Sequence, residues 1–332
     1  MNIVNFEHRH ITRAMEIAFT NYEEERLHVS SLPKVDSVPD LKYFADNHLG
    51  VAAFDGEVML GFLCNYYPNE DAFGTTGFRG IFSPIHAHGV IPASLLMKED
   101  CVTKYNRERI YSLLFQGAAD KWVREGVRIH AVALYTHDED ANRSFFYNGF
   151  GLRCIDAIRS LEEIPALTEV MQINNDNLVY CEVPRMEWSL LLEYNNALIN
   201  HLGEGPIYMK YSLIDEEELY RRSPEGTRYF AVKVNGNYAA YIKISKEGEN
   251  FATVDGSMMN ISGAYCNPIY RGTGLYHNLL CHLMTVLKQE GYQRLGVDCE
   301  SFNPTAKGFW LKYFTEYTHS LVRHIDDKAF LN

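Results

Sequence analysis

Apolar residues recur along the chain at two spacings, and their alternation outlines the elements. The opening "NIVNF" predicts a strand, and the segment from about Ile11 to Leu27 carries apolar residues at helical spacing. "GVAAFDGEVMLGFLCNYYP" predicts two apolar strands around an Asp55–Gly56 turn, and "GFRGIFSP" a further strand. After a long connection, "RIYSLLFQGAADKWVREG" predicts a helix ending at Gly126. The strand "RIHAVALYTH", the helical "DANRSFFYNGF" and the strand "LRCIDAIRSL" follow. The order is strand, helix, three strands, helix, strand, helix, strand.

The second half repeats this plan. "EWSLLLEYNNALINHL" is helical, "RYFAVKVNGNYAAYIKIS" is a hairpin around Asn235–Gly236, and "MMNISGAYCNP" is a strand. A helix over "GLYHNLLCHLMTVLKQEG" ends at Gly291; the strand "RLGVDCES", the helix "NPTAKGFWLKYF" and a final strand "HSLVRHID" complete it. Two different sequences with one element order predict a tandem duplication of an α/β domain with a mixed sheet. The pattern is weakest between about Ser160 and Arg185, which sets the expected domains at 1–175 and 176–332. "MQINNDNLVYCEVP" closes the first domain or opens the second.

Composition narrows the class of function. The 332 residues, 46% hydrophobic and 22% charged, supply core material for two globular domains. The start lacks a basic stretch followed by an apolar one, and no apolar run approaches the roughly 18 residues of a membrane helix. A cytoplasmic protein without a membrane partner is the expectation. The seven cysteines (Cys64, Cys101, Cys154, Cys181, Cys266, Cys281 and Cys299) are scattered, form no CxxC pair and read as core thiols. A net charge of -12 disfavours a nucleic-acid partner and is compatible with a cationic substrate. A homodimer is compatible with the sequence.

The stretch with the clearest chemistry is "NPIYRGTGLYHNLL", residues 267–280. Gly272 and Gly274 permit a tight turn and close backbone approach, and the helix that follows offers unpaired N–H groups to an anion. Arg271 adds a fixed positive charge. A Walker loop needs Gly-Lys-Ser/Thr after the second glycine, where this chain has Leu275-Tyr276-His277. A Rossmann loop needs a third glycine where His277 stands, and too little chain remains for a doubly wound sheet, although Asp298 lies at about the distance of a ribose acid.

Together with "FNPTAKGFWLKYF" after the next strand, the stretch resembles the Gcn5-related N-acetyltransferase (GNAT) family. There an Arg/Gln-x-x-Gly-x-Gly/Ala loop precedes a helix, and an Asn and a small residue open a short aromatic end helix. Tyr276 departs from the pattern, replacing its last small residue. "DANRSFFYNGFGLR" is similar to the same end helix in the first half, but "SPIHAHGV" offers Ala87 where the arginine belongs and only Gly89. The resemblance implies two tandem GNAT-like domains, with a well-formed cofactor loop only in the second.

It further implies acetyl-CoA as cosubstrate and direct acetyl transfer to the primary amine of a small molecule or peptide. Arg271, Gly272, Thr273, Gly274, Leu275 and Tyr276 would hold the pyrophosphate. The backbone of Ala264, Tyr265 and Cys266 would orient the thioester, and Asn303 would cap a helix, touch the cosubstrate, or both. Many members use a tyrosine acid on the end helix; Trp310 stands there, so the thiolate leaves unaided or Tyr313 or Tyr317 substitutes. Asp298 and Glu300, on one strand face by period 2, are candidate bases.

The alternative from another class is an acyl-CoA sensor or scaffold without catalysis. A further alternative puts the working cleft in the first half, around His86 and His88. Two histidines two apart without a third ligand do not make a metal site, and no metal is expected. His8 and His10 carry still less.

Overall fold

The computed structural model describes residues 1–70, 77–98, 105–171 and 177–331. Cys101 and part of "MQINNDNLVYCEVP" therefore lie outside the described residues. Contacts gather the chain into two compact units, Met1–Asp156 with Glu316–Asn332, and Ala157–Thr315. This division follows packing in space; the boundary at 175/176 divides a repeat along the chain and is a different quantity.

The first unit begins with β1 (Asn2–Asn5), α1 (Ile11–His28), α2 (Lys42–Asp46), β2 (Val51–Asp55) and β3 (Val58–Leu63). It continues through β4 (Gly80–Ser83), β5 (His88–Val90), α3 (Ala93–Lys98), α4 (Arg107–Arg124), β6 (Ile129–Tyr135) and α5 (Glu139–Tyr147), then enters β7 (Gly151–Ser160). Strands β1-β2-β3-β5 pair antiparallel, while β4 and β6 pair in parallel. The Asp55–Gly56 turn falls where the sequence places it, with Gly56 at φ +60°.

"SPIHAHGV" is not a strand-to-helix loop. Pro84 ends β4, Ala87 N–H closes a turn on Pro84 O (2.8 Å), and β5 pairs Gly89 with Phe62 on β3. The long helix α4 begins at Arg107, after the short α3, and is capped by the Asn106 side chain, which accepts from Arg109 N–H. His86 and His88 are buried; His88 Nε2 bonds Ala133 O at 2.7 Å, and burial lowers the His86 pKa to about 4.

In the second unit come β8 (Leu178–Val183), α6 (Leu192–Gly203), α7 (Glu216–Arg221), β9 (Arg228–Val234) and β10 (Asn237–Ser245). They are followed by β11 (Met258–Cys266), α8 (Leu275–Gln289), β12 (Arg294–Glu300) and α9 (Pro304–Trp310). The sheet order is β12-β11-β10-β9-β8, so "LVYCEV" joins this unit by pairing with β9. α8 buries Leu275, Leu279, Leu283, Met284 and Leu287, one stripe at helical spacing. Each fully buried Leu contributes about 1.5–3 kcal/mol. Trp188, Leu191, Leu219, Tyr229 and Tyr241 form a second core cluster.

The final strand, β13 (Thr315–His324), pairs antiparallel with β6 from Thr318↔Tyr135 to His324↔Ile129. The strand expected to finish the second half therefore packs, from Glu316 onward, in the first unit. Alternation specifies that a strand forms and which face it buries, not which distant strand it meets. The short α2, α3, α7 and β5 were not expected; each is too brief to display a period. Among the described residues, no helix is long and apolar enough to cross a membrane.

Candidate active site

Strands β11 and β12 lie side by side only at their beginnings. Their parallel register runs from Met258↔Arg294 to Ile261↔Val297 and stops there. β11 nevertheless stays paired to β10 as far as Ala240↔Cys266, with a register shift that leaves Ser262 as an extra residue. That bulge bends β11 away from β12. One backbone edge of residues 262–266 thus has no strand beside it, and a cleft opens between the two strand ends.

At the end of β11, Asn267 turns the chain by accepting from Ile269 N–H (3.2 Å), and Arg271 Nε donates to Cys266 O (3.0 Å). Gly272 and Gly274 hold φ of +77° and +93°, a region L side chains avoid. The first residues of α4, α5, α7 and α9 are capped by Asn or Asp side chains. At α8 the cap residue is Gly274, which has no side chain to offer. Among the described residues, the N–H groups of Gly272, Gly274, Tyr276 and His277 find no protein acceptor. The loop is a nest of free donors at a helix N-terminus, suited to an anion such as a phosphate.

Residues 165–171 run along this loop. Thr168 N–H donates to Asn278 Oδ1 (2.9 Å), Asn278 Nδ2 returns a bond to Thr168 O (2.8 Å), and Met171 N–H reaches Thr273 O (3.0 Å). A methyl group at Gly274 would stand 2.8 Å from Thr168 Oγ1 and 3.1 Å from Glu169 O. Glycine is required there by both backbone angle and space.

The cleft and the loop open into one cavity of about 670 Å³. Ala264, Tyr265 and Cys266 line it from β11, and Arg271, Gly272, Gly274 and Tyr276 from the loop. Asp298 and Glu300 line it from β12, and Asn303, Trp310 and Tyr313 from the end-helix segment. Thr273 and Leu275 are buried behind the loop rather than in the wall. Asp298 is exposed and Glu300 half-buried, with buried Cys299 between them also reaching the cavity. Asn303 caps α9 by accepting from Ala306 N–H at 3.2 Å.

Tyr276 fits because its ring turns inward, 4.9 Å from Phe309 and 6.1 Å from Trp310, with its hydroxyl donating to Tyr241 O. Its backbone N–H stays at the loop. Burial pushes its phenol far up, so it stays neutral. The Tyr313 ring lies tilted against His277 at 5.2 Å, and burial raises its phenol as well. Tyr317 is fully buried in the first unit and does not line this cavity, which removes it as a candidate acid. Burial pushes the Cys266 thiol up to about 11.

Sequence patterning did not point to the opposite wall, built by Leu198, His201 and Leu202 of α6 and by Met209 and Tyr211 after it. Only the structure marks this wall, through a helix, α6, that buries none of its residues. Among the described residues, no three His, Cys, Asp or Glu side chains gather as a metal site.

No curated protein matches the chain. A crystal structure of a GCN5-related N-acetyltransferase from Sphaerobacter thermophilus superposes with a TM-score of 0.54 at 12% identity, over 97% of this chain and 95% of that one. The GCN5-related glucosamine N-acetyltransferase region of a fungal multi-domain GH3 β-N-acetylglucosaminidase superposes with a TM-score of 0.50 at 11% identity. That match covers 97% of this chain and 38% of the fungal one. At such identities the likeness is one of fold, mixed α/β along almost the whole chain. Sequence adds a family match over part of the chain: residues 192–314 match the model of the acetyltransferase (GNAT) family.

Proposed function

We propose that this domain transfers an acetyl group from acetyl-CoA to a primary amine of a small molecule or peptide, directly, in a ternary complex. The observation that carries the reading is one cavity containing both an unpaired strand edge and a helix start whose amides are free. The amides of Gly272, Gly274 and Tyr276, with Arg271 anchored on Cys266 O, suit a pyrophosphate. The free edge of residues 262–266 suits the amide-bearing pantetheine arm, which can bond to it as an added strand does.

Acetyl-CoA supplies an acyl group already activated as a thioester. The chain must remove a proton from the amine, donate to the developing oxyanion and protonate the leaving thiolate. Asp298 or Glu300 would take the amine proton. The backbone of Ala264–Cys266 would orient the carbonyl. Tyr313, kept protonated by burial, would return a proton to sulfur.

Isothermal titration with acetyl-CoA tests the binding step. Saturable binding is expected, weakened at least about tenfold (~1.4 kcal/mol) in Arg271→Glu. Absence of binding at millimolar ligand, or unchanged affinity in the variant, would overturn it. A second reading, an acyl-CoA sensor, draws support from Trp310, an indole without a transferable proton in the cavity wall. Thiol release across a panel of amines separates the two. Glucosamine belongs in the panel because the fungal neighbour is named for it. Binding without release on any amine would favour the sensor.

A further inference from the structure

The first unit holds a cavity of its own, about 440 Å³, framed by the end of α1, the start of α4 and the turn from β6 into α5. Carboxyl groups dominate its lining: Glu24, Glu25, Asp138, Glu139 and Asp140, against one guanidinium, Arg107. Arg107 is already committed, donating to Asp138 Oδ2 and Val90 O, each at 2.7 Å. Asp138 is committed too, accepting from Tyr111 (2.7 Å) and capping α5 at Ala141 N–H (3.0 Å). Glu25, buried beneath, bonds His137 at Nδ1 (2.8 Å) and at its backbone N–H (3.1 Å). The His28 ring stacks on His137 at 4.5 Å.

Two further side chains of the lining point to a ligand. Asn21 and Tyr135 are more than nine-tenths buried, and Asn21 Oδ1 and the Tyr135 hydroxyl have no partner among the described residues. The Asn21 amide already donates to Val90 O at 3.3 Å, so its oxygen can only accept. A buried acceptor left unmatched is costly, and a ligand rich in N–H donors would satisfy it.

We propose that this cavity binds a small organic cation, a primary ammonium or a guanidinium. Glu24, Glu139 and Asp140 draw it in at the mouth, and Asn21 Oδ1 and the Tyr135 hydroxyl receive its N–H groups. The same carboxylates repel an anion. A metal ion does not fit, because no set of three ligating side chains converges among the described residues. The inference is independent of the acetyl-transfer reading, since every group it uses belongs to the first unit.

Agmatine, which carries both an amine and a guanidinium, is the probe, titrated into the full chain with imidazole ¹⁵N resonances as readout. The His28 and His137 signals are expected to shift saturably, and the affinity to fall at least tenfold in the Glu24→Gln/Asp140→Asn double variant. Both replacements are isosteric at half-exposed positions, and Glu24→Gln alone is expected to lose several-fold. Inorganic phosphate is expected to leave the signals unmoved. No shift at millimolar agmatine, an affinity unchanged in the double variant, or an equal response to phosphate would each overturn the proposal.

Discussion

Gly274 and Gly272 sit two residues apart with similar backbone angles, and their surroundings separate them. Nothing lies within 4 Å of a methyl group at Gly272, whereas at Gly274 Thr168 and Glu169 stand in its way. Gly272→Ala should therefore cost only the left-handed backbone term, about 1–2 kcal/mol. Gly274→Ala should cost more, up to about 3 kcal/mol, and should also displace residues 165–171. Urea midpoints of the two variants check this; equal losses would show that contact with Thr168 is unimportant. Buried histidines make a second contrast at this scale. Burial holds His130 at about 3 and His86 at about 4, both below the ordinary 6.5. The unfolded chain takes up these protons first, so stability is full above pH 6.5 and falls as pH drops toward the folded values. Each group should remove roughly 2 kcal/mol between pH 6.5 and 5. In His130→Phe that part of the acid loss should vanish, measurable as a shallower fall of unfolding free energy across those pH values.

At the scale of elements, what was legible in the sequence is what repeats at short range. α8 and the two hairpins declare themselves by period and by Asp55–Gly56 and Asn235–Gly236. The Arg271–Gly274 loop declared itself by residue type. The splay of β11 from β12 did not, because it depends on one extra residue, Ser262, that nothing in "MMNISGAYC" distinguishes from its neighbours. Tyr276 looked like a misfit in a list of small residues. In the fold its ring has somewhere to go, between Tyr241, Phe309 and Trp310, and only its backbone is needed at the loop. The α6 wall was illegible for the opposite reason. Leu198 and Leu202 read as ordinary helix-face residues, and only contact with the cavity gives them a place in the site. The first-half loop was misplaced at "SPIHAHGV" because apolar residues with a proline and a glycine mark a strand pair joined by a turn as readily as a loop before a helix.

For the whole molecule, the decisive element is β13, last in sequence and part of the first unit from Glu316 onward. Its partner β6 is buried along all seven residues, so removing β13 would leave a buried strand with an open edge. If packing in space sets the cooperative units, a chain ending at Thr315 should lose the first unit while keeping the second. Hydrogen exchange can resolve this residue by residue. Amides of Ile129–Tyr135 should lose protection by on the order of a hundredfold or more, while those of α8 and β12 stay protected. If the repeat along the chain set the units instead, the same truncation would damage the second half, of which β13 is the last strand. α8 and β12 would then lose protection as well, while β6, deprived of its partner strand, is exposed in either case. The amides of α8 and β12 therefore separate the two outcomes. The packing division also implies that acetyl-CoA affinity survives the truncation, because every residue lining the 670 Å³ cavity precedes Thr315.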